Sequence, residues 1–183
     1  MSISTALMTA EELLELPRGQ HRYELINGEL KTMSPASHDH GRIAMRIGAS
    51  LAKFVWRNDL GEVYAAETGF LLSKNPDTVL APDAAFISRQ RAREGRDKRG
   101  YWQGPPDIAV EVLSPHETDA KVKAKVAQWI RYGTQQVWIV NPKNETVTIY
   151  QSAGESTMFG REEIVAANDL LPGFRIAVAD IFK

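Results

Sequence analysis

The segment from Asp107 to Leu113 constrains the fold more than any other part of this chain. Its centre reads Ile-Ala-Val-Glu-Val, and such an apolar run is typical of a strand that is covered on both faces of a sheet. A helical pattern follows from about Thr118 to Tyr132, and a second β-type run spans Gln136 to Val140. This order predicts a βαβ unit and therefore an α/β fold.

Glu111 is the carboxylate that interrupts this apolar strand. Burying an ionised carboxylate without compensation costs several kcal/mol, so Glu111 must be neutral, paired with a cation or bound to a metal. Taken alone, a structural ion pair explains it more simply than a catalytic role does.

A second carboxylate, Asp83, favours a shared functional site over a structural ion pair at Glu111. It follows Pro82 within the apolar segment from Leu80 to Ile87, which is expected to be part of a strand. If the two strands are neighbours in one sheet, Asp83 and Glu111 repel each other unless a cation lies between them. Mg²⁺, a hard cation that prefers oxygen ligands, suits this arrangement. Asp107, which follows Pro106, is interpreted as a strand-start residue and not as a metal ligand.

The predicted helix after Glu111 offers three lysines as partners for the two acids. Its apolar stripe consists of Val122, Val126, Trp129 and Ile130. At roughly 100° per residue, Lys125 falls between the directions of Tyr132 and Ile130. Lys123 falls just outside the other margin of the stripe, and Lys121 lies one turn before Lys125. Lys125 is the best-placed cation, although periodicity also allows its ammonium to extend past Trp129 into solvent.

The N-terminal part of the chain is expected to form a short helix and a β-hairpin. Thr9 and Glu12 have the spacing of a capping box, at a helix that Pro17 stops. The segments 22–26 and 29–33 flank Asn27-Gly28, a pair that suits a two-residue hairpin turn.

Further elements are predicted between and after these segments. They are a long helix over 37–57, strands over 63–72, 79–88, 147–151 and 174–178, and a loop over 89–106. The strands 63–72 and 79–88 are expected to pair antiparallel. The loop contains Arg89, Arg91, Arg93, Arg96, Lys98 and Arg99. We interpret it as a solvated loop, with contacts to nucleic-acid phosphates as the alternative.

Composition excludes several classes of protein. The 183 residues fit one domain, over 1–183. Lys and Arg number 22 and Asp and Glu 23, so a phosphate-bearing partner must be held by a local patch and not by a global basic field. The absence of cysteine excludes disulfides, thiolate nucleophiles and cysteine-based metal sites. No apolar run approaches the roughly 20 residues that span a bilayer, and Met1 to Leu7 does not resemble a signal peptide, so a cytoplasmic location without membrane contact is expected.

Five motifs occur in order along the chain. They are Tyr23-Glu24-Leu25-Ile26-Asn27-Gly28-Glu29-Leu30, Met33-Ser34-Pro35, Pro82-Asp83, the run from Pro106 to Pro115, and Val137-Trp138-Ile139-Val140-Asn141-Pro142. Together they resemble the Uma-type restriction endonuclease family of the PD-(D/E)XK nuclease superfamily. The resemblance extends to Leu171-Pro172-Gly173-Phe174, and the combination is specific although each motif alone is weak.

The resemblance implies a restriction-endonuclease-like fold, with a central mixed β-sheet flanked by α-helices and an N-terminal β-hairpin. It assigns the motif acids to Asp83 and Glu111. The superfamily's usual lysine lies two residues after the second acid, where this chain has Leu113. The resemblance implies that a lysine eight residues before a glycine in the next helix replaces it, and Lys125 has that relation to Gly133.

The implied activity is hydrolysis of phosphodiester bonds, with DNA as the expected substrate. Asp83 and Glu111 would hold Mg²⁺, or Mn²⁺ in its place, and Lys125 would stabilise developing negative charge. A homodimer is expected. Glu24 and His40 are secondary candidates, with an exposed strand position and a solvated helix position as the simpler interpretations. The alternative functions are a non-catalytic nucleic-acid or protein interaction module that keeps the fold, and hydrolysis of another phosphorylated substrate.

Overall fold

Thirteen strands and five helices lie in residues 7–17, 21–95, 99–115, 117–151, 155–167 and 169–183, the parts of the chain that the computed structural model describes. The helices are α1 Ala10–Glu15, α2 His38–Arg57, α3 Arg89–Gly95, α4 Asp119–Arg131 and α5 Val178–Phe182. The first strands are β1 Arg22–Ile26, β2 Glu29–Met33, β3 Gly61–Ala65, β4 Phe70–Ser73, β5 Thr78–Leu80, β6 Ala84–Ser88 and β7 Trp102–Gln103. The later strands are β8 Ile108–Val112, β9 Gln136–Asn141, β10 Thr146–Gln151, β11 Ser156–Phe159, β12 Ile164–Ala166 and β13 Arg175–Ala177.

The strands form two large sheets and one small one. A six-stranded sheet has the order β11-β10-β9-β8-β6-β3, and a five-stranded sheet has the order β2-β1-β5-β4-β7. Strands β12 and β13 form a separate pair. Both large sheets are mixed, because β8 is parallel to β9 and β4 is parallel to β7, whereas their other pairs are antiparallel. The predicted α/β class, mixed sheet and N-terminal hairpin are therefore confirmed.

The two faces of the six-stranded sheet bury different helices. Strand β8 turns Val110 and Val112 to the face that α2 covers, where Ile47 and Leu51 are fully buried. Ala109, on the other face, packs in a cluster with Val126 and Trp129 of α4. Because successive strand residues alternate between faces, Glu111 points to the α4 side.

Local sequence explains the boundaries of the elements around the site. Ser37 caps α2 by accepting a hydrogen bond from the His40 backbone N–H, and Thr118 caps α4 in the same way. Asn27 and Gly28, with φ values of 51° and 79°, form the hairpin turn between β1 and β2. None of the helices in the described parts of the chain is long and apolar enough to cross a membrane.

The predicted strands 63–72 and 79–88 are each divided between the two large sheets. The chain leaves the six-stranded sheet after Ala65 and joins the five-stranded sheet at Phe70, with Glu67 at φ 70° between them. It returns between Leu80 and Ala84, so Asp83 lies in a connection and not within a strand. The expected antiparallel pairing holds for both halves, β3 with β6 and β4 with β5. An apolar pattern marks a segment as buried but does not reveal that it passes from one sheet to another.

The predicted loop over 89–106 is wrong in part. Arg89–Gly95 is a helix without a buried residue, which explains why no apolar periodicity marks it, and Trp102–Gln103 is a short strand. Arg and Gln are good helix formers, and Arg91 is further fixed by an ion pair with Asp107. Arg96 and Lys98 lie outside the described residues. The final segment also differs, because β13 ends at Ala177 and α5 begins at Val178.

Candidate active site

Asp83 and Glu111 lie side by side at one end of β6 and β8. Ala84 pairs with Val110 across these antiparallel strands, so Asp83 is opposite Glu111. The Asp83 backbone N–H donates to the Val110 carbonyl at 2.9 Å. Both acids are buried, with 7% and 5% of their surfaces exposed. The structure thus brings together the two carboxylates that the sequence predicts to share a site.

Glu111 is held by two side chains of α4. Trp129 donates its indole Nε1–H to Glu111 Oε1 at 2.8 Å, and Lys125 Nζ lies 3.3 Å from Oε2. Lys125 also lies 3.2 Å from Glu117 Oε1, in the segment that precedes the helix. Lys121 and Lys123 are exposed, so among the three lysines the structure brings Lys125 to the acids.

Leu113, two residues after Glu111, is a partly buried apolar residue. Strand alternation places Leu113 on the same face as Glu111, and it packs against the apolar cluster that contains Trp129. The ammonium is instead supplied from α4, one helix further along the chain.

Asp83 is fixed by a backbone amide and by His40. The Val112 N–H donates to Asp83 Oδ2 at 2.8 Å, and His40 Nε2 lies 3.2 Å from the same oxygen. His40 is in the first turn of α2, with only 12% of its side chain exposed. The interpretation of His40 as a solvated helix residue is therefore wrong.

Glu24 also faces the site. Its Oε1 accepts a hydrogen bond of 3.0 Å from the Ala81 backbone N–H, two residues before Asp83. Because Glu24 is largely shielded from solvent and bonded, its interpretation as an exposed strand residue is wrong.

Burial and neighbouring charges shift the pKa values of Glu111, Glu24, His40 and Lys125. Burial raises the pKa of Glu111 to about 7, with further contributions from the charges of Asp83 and Glu24. Burial likewise raises the pKa of Glu24, and the hydrogen bond with Asp83 raises that of His40. Burial acts to lower the pKa of Lys125, but nearby carboxylates, Glu111 foremost, outweigh it and raise that pKa above its ordinary value. The centre therefore combines crowded carboxylates with a charged ammonium.

The donor atoms fit a hard divalent cation. Asp83, Glu111 and Glu24 are mutually close carboxylates, because each of them affects the charge environment of another. No group of three or more His, Asp or Glu side chains in the described residues is arranged to hold a metal by itself. Mg²⁺ commonly binds through one or two carboxylates and takes water and substrate phosphate as its other ligands. Asp83 and Glu111 would hold it here.

Sequence reasoning missed three contributors to this geometry. Trp129 is expected only as an apolar residue of the helix stripe, yet its N–H anchors Glu111. The backbone amides of Val112 and Ala81 hold Asp83 and Glu24. A tryptophan four residues after Lys125, on the same side of the helix, is the one sequence signal that could have indicated the first of these contacts.

Asp107 does not belong to this site. It is 2% exposed and accepts hydrogen bonds from the Ser88 N–H at 2.7 Å, from Arg91 at 2.7 Å and from Gln135 at 2.9 Å. These bonds join the ends of β6 and β8 to α3, in agreement with its interpretation as a strand-start residue.

The arginine-rich segment lies away from the acids. Arg89 follows the last residue of β6 and Asp83 precedes the first, so their backbones are roughly 20 Å apart. Arg89 is paired with Asp59 at 2.6 Å and Arg91 with Asp107. A cavity of about 740 Å³ adjoins these arginines. Neither Asp83 nor Glu111 is among the residues that line this cavity.

Comparisons with known proteins identify the family and the fold of this chain. The model of the Uma2 family, described as "Putative restriction endonuclease", matches residues 10–179. The structure is similar to the crystal structure of a putative nuclease belonging to DUF820 from Anabaena variabilis ATCC 29413. That similarity has a TM-score of 0.80 at 21% sequence identity and covers 96% of this chain and 97% of that chain. No curated protein matches the sequence. At this identity, the structural likeness shows a shared fold.

Proposed function

Since the chain belongs to the Uma2 family, we propose that it is a metal-dependent endonuclease that hydrolyses phosphodiester bonds in DNA. The observation that carries the proposal is the convergence of Asp83, Glu111 and Lys125, with Lys125 Nζ 3.3 Å from Glu111 Oε2. Two adjacent buried carboxylates and an ammonium are the groups that metal-assisted phosphodiester hydrolysis requires.

Each side chain has a separate role in the proposed reaction. Asp83 and Glu111 would bind Mg²⁺, or Mn²⁺, which when bound polarises the phosphate and acidifies a water molecule. Lys125 places a positive charge beside the acids, where negative charge develops on the phosphate oxygens. His40 and Trp129 keep the two carboxylates in position through hydrogen bonds. The low exposure of the acids strengthens these electrostatic interactions.

The experiment that tests this function is a DNA-cleavage assay with Mg²⁺, Mn²⁺ and EDTA. We expect wild type to cut only with a metal and Glu111→Gln to lose cleavage. Glu62→Gln, an exposed change in β3, serves as the matched control and should cut normally. Normal cleavage by Glu111→Gln, or cleavage by wild type in EDTA, would show that this centre is not the catalytic site.

A metal titration separates the nuclease from the alternative of a non-catalytic interaction module. Folded wild type should bind Mn²⁺, and Asp83→Asn should bind it much more weakly. If wild type binds neither Mg²⁺ nor Mn²⁺, with or without DNA, the interaction module is the better explanation.

A homodimer is part of the proposal, because a symmetric pair carries one catalytic centre for each strand of a duplex. Small-angle scattering at micromolar concentration should give twice the mass of one chain. A monomeric mass, with and without duplex DNA, contradicts the dimer but not the catalytic centre.

A further inference from the structure

The hairpin face that carries Glu24 also carries two cations. Arg22 and Glu24 are alternate residues of β1, so their side chains lie on one face, roughly 7 Å apart along the strand. Lys31 of β2 is directly opposite Glu24 in the antiparallel register, which places it on that face roughly 5 Å across the hairpin. Because Glu24 faces the site, Arg22 and Lys31 border it.

Arg22 has hydrogen-bonding capacity that the protein leaves unused. Its Nε is buried and has no hydrogen-bond partner among the described residues. Its ion pair with Glu67 spans 3.5 Å, which is longer than an N–H···O hydrogen bond, and Glu67 is 69% exposed. Only 18% of the Arg22 side chain is exposed, but Glu67 is mostly in solvent and the contact is long, so the pair is weak and an incoming anion can replace Glu67 at small cost.

The charge of Arg22 reaches the site. It opposes the rise in pKa that burial causes at Glu24, and it also opposes the rise in pKa that the Asp83 hydrogen bond causes at His40. Both effects require the guanidinium to lie near these two residues, which agrees with its position on the hairpin face.

A cleft adjoins Arg22 and reaches the connection between β5 and β6. It has a volume of about 370 Å³, and its walls include Arg22, Tyr23, Met33 and Ala81. Ala81 belongs to the connection that carries Asp83, two residues later. The cleft therefore connects the hairpin with the segment that positions the first acid.

Lys31 is available for an anion as well. Its pair with Glu29 has an Nζ–Oε2 distance of 2.8 Å, but the two side chains are 48% and 68% exposed. Screening by solvent makes this pair weak, so Lys31 can exchange Glu29 for a more strongly charged partner.

From this arrangement we propose that Arg22 and Lys31 form a subsite that binds backbone phosphates of DNA beside the phosphate that is cut. The proposal rests on the proposed nuclease function, since it places the substrate strand along the hairpin face. A guanidinium binds phosphate through charge-assisted hydrogen bonds, and the lysine adds a point charge. The subsite supplies the local positive patch that a chain with net charge −1 needs in order to bind DNA.

The test measures binding without cleavage. A short fluorescein-labelled DNA duplex is titrated with wild type, Arg22→Gln, Lys31→Gln and the double variant, in EDTA and over a series of salt concentrations. We expect Arg22→Gln to weaken binding by about tenfold and to reduce the slope of log K against log salt by about one. The double variant should reduce that slope by about two. Arg131→Gln, at the far end of α4, is the matched control and should bind like wild type.

Several results would overturn the subsite. One is that folded Arg22→Gln and Lys31→Gln bind the duplex with the affinity and salt slope of wild type. Another is that Arg131→Gln loses as much affinity as Arg22→Gln. The third is that wild type does not bind the duplex. If Arg22→Gln does not fold, Lys31→Glu decides the question, because Lys31 is exposed and its reversal should weaken binding without unfolding the chain. Wild type that binds DNA through Arg22 but never cuts it refutes the nuclease function and leaves the subsite intact. If wild type cuts DNA and Arg22→Gln keeps the same KM and salt slope, the subsite is refuted and the nuclease function stands.

Discussion

The indole N–H of Trp129, a completely buried side chain, donates a hydrogen bond of 2.8 Å to Oε1 of Glu111. This bond leaves Glu111 Oε2 directed toward Lys125. Trp129 thus sets the orientation of the carboxylate in addition to filling the core, and we expect it to act as a positioning residue for the proposed metal centre.

Trp129→Phe should separate these two roles. Phenylalanine keeps an aromatic ring in the core but removes the N–H, so Glu111 Oε1 is left in a buried position without its donor. We expect a loss of about 1–3 kcal/mol in the free energy of unfolding and a drop of about 10–100-fold in Mn²⁺ affinity. Chemical denaturation and calorimetric titration measure the two effects.

Trp138→Phe is the matched control for that change. Trp138 is also completely buried, and its Nε1–H donates to Gln136 Oε1 at 3.0 Å, but it packs on the opposite side of the six-stranded sheet. It should lose comparable stability and keep its affinity for Mn²⁺. Equal affinities in both variants would show that Trp129 has no positioning role.

Methionine substitutions at the three lysines of α4 should identify the one that acts in the reaction. Lys125→Met keeps most of the aliphatic stem but removes the charge next to Glu111, and cleavage should fall by about 100-fold or more. Lys121→Met and Lys123→Met change exposed side chains and should cut at the wild-type rate. Single-turnover cleavage rates give the comparison, and a larger loss at position 121 or 123 would exclude Lys125 as the active-site lysine.

Divalent metal should stabilise the folded protein, because it relieves repulsion among buried carboxylates. In thermal unfolding, the Tm of wild type should rise with increasing Mg²⁺ or Mn²⁺ concentration. The Tm of Asp83→Asn and Glu111→Gln should not respond, whereas Glu62→Gln should behave like wild type. A metal-dependent Tm that survives both site substitutions would point to binding elsewhere.

The two arginines of α3 should differ in their effect on stability. Arg91→Met removes a partner of Asp107, which is 2% exposed, and should cost about 2 kcal/mol or more of unfolding free energy. Arg89→Met breaks a pair with the exposed Asp59 and should cost less than about 1 kcal/mol. Urea denaturation compares them. Equal costs would contradict the structural role of the Arg91–Asp107 pair.

The alternative role of this segment in DNA binding has its own test. Arg89, Arg93 and Arg99 can be changed together to Gln while Arg91 is kept for stability. Phosphate contacts by these residues would make the salt dependence of DNA binding less steep. An unchanged affinity and slope supports the interpretation of the segment as a solvated surface.

The sequence by itself determined the elements whose patterns are local. The apolar run around Glu111, the stripe of α4 and the Asn27-Gly28 turn gave the βαβ unit and the hairpin, because strand alternation, helical periodicity and positive φ leave marks within a few residues. Helix projection also favoured Lys125 over its neighbours. The family motifs then linked Asp83 to Glu111.

Only the tertiary structure decided how the remaining groups meet. The contacts of Trp129 with Glu111, of His40 with Asp83 and of Glu24 with Ala81 each join separate elements, and the position of Arg22 beside the site depends on the packing of the hairpin. The chain passes from one large sheet to the other near Glu67 and near Pro82, and these passages also depend on packing. A hydrogen bond between distant segments depends on packing geometry and leaves no periodic pattern in the sequence, so the acids and Lys125 were predictable but the contacts of Trp129, His40 and Glu24 were not.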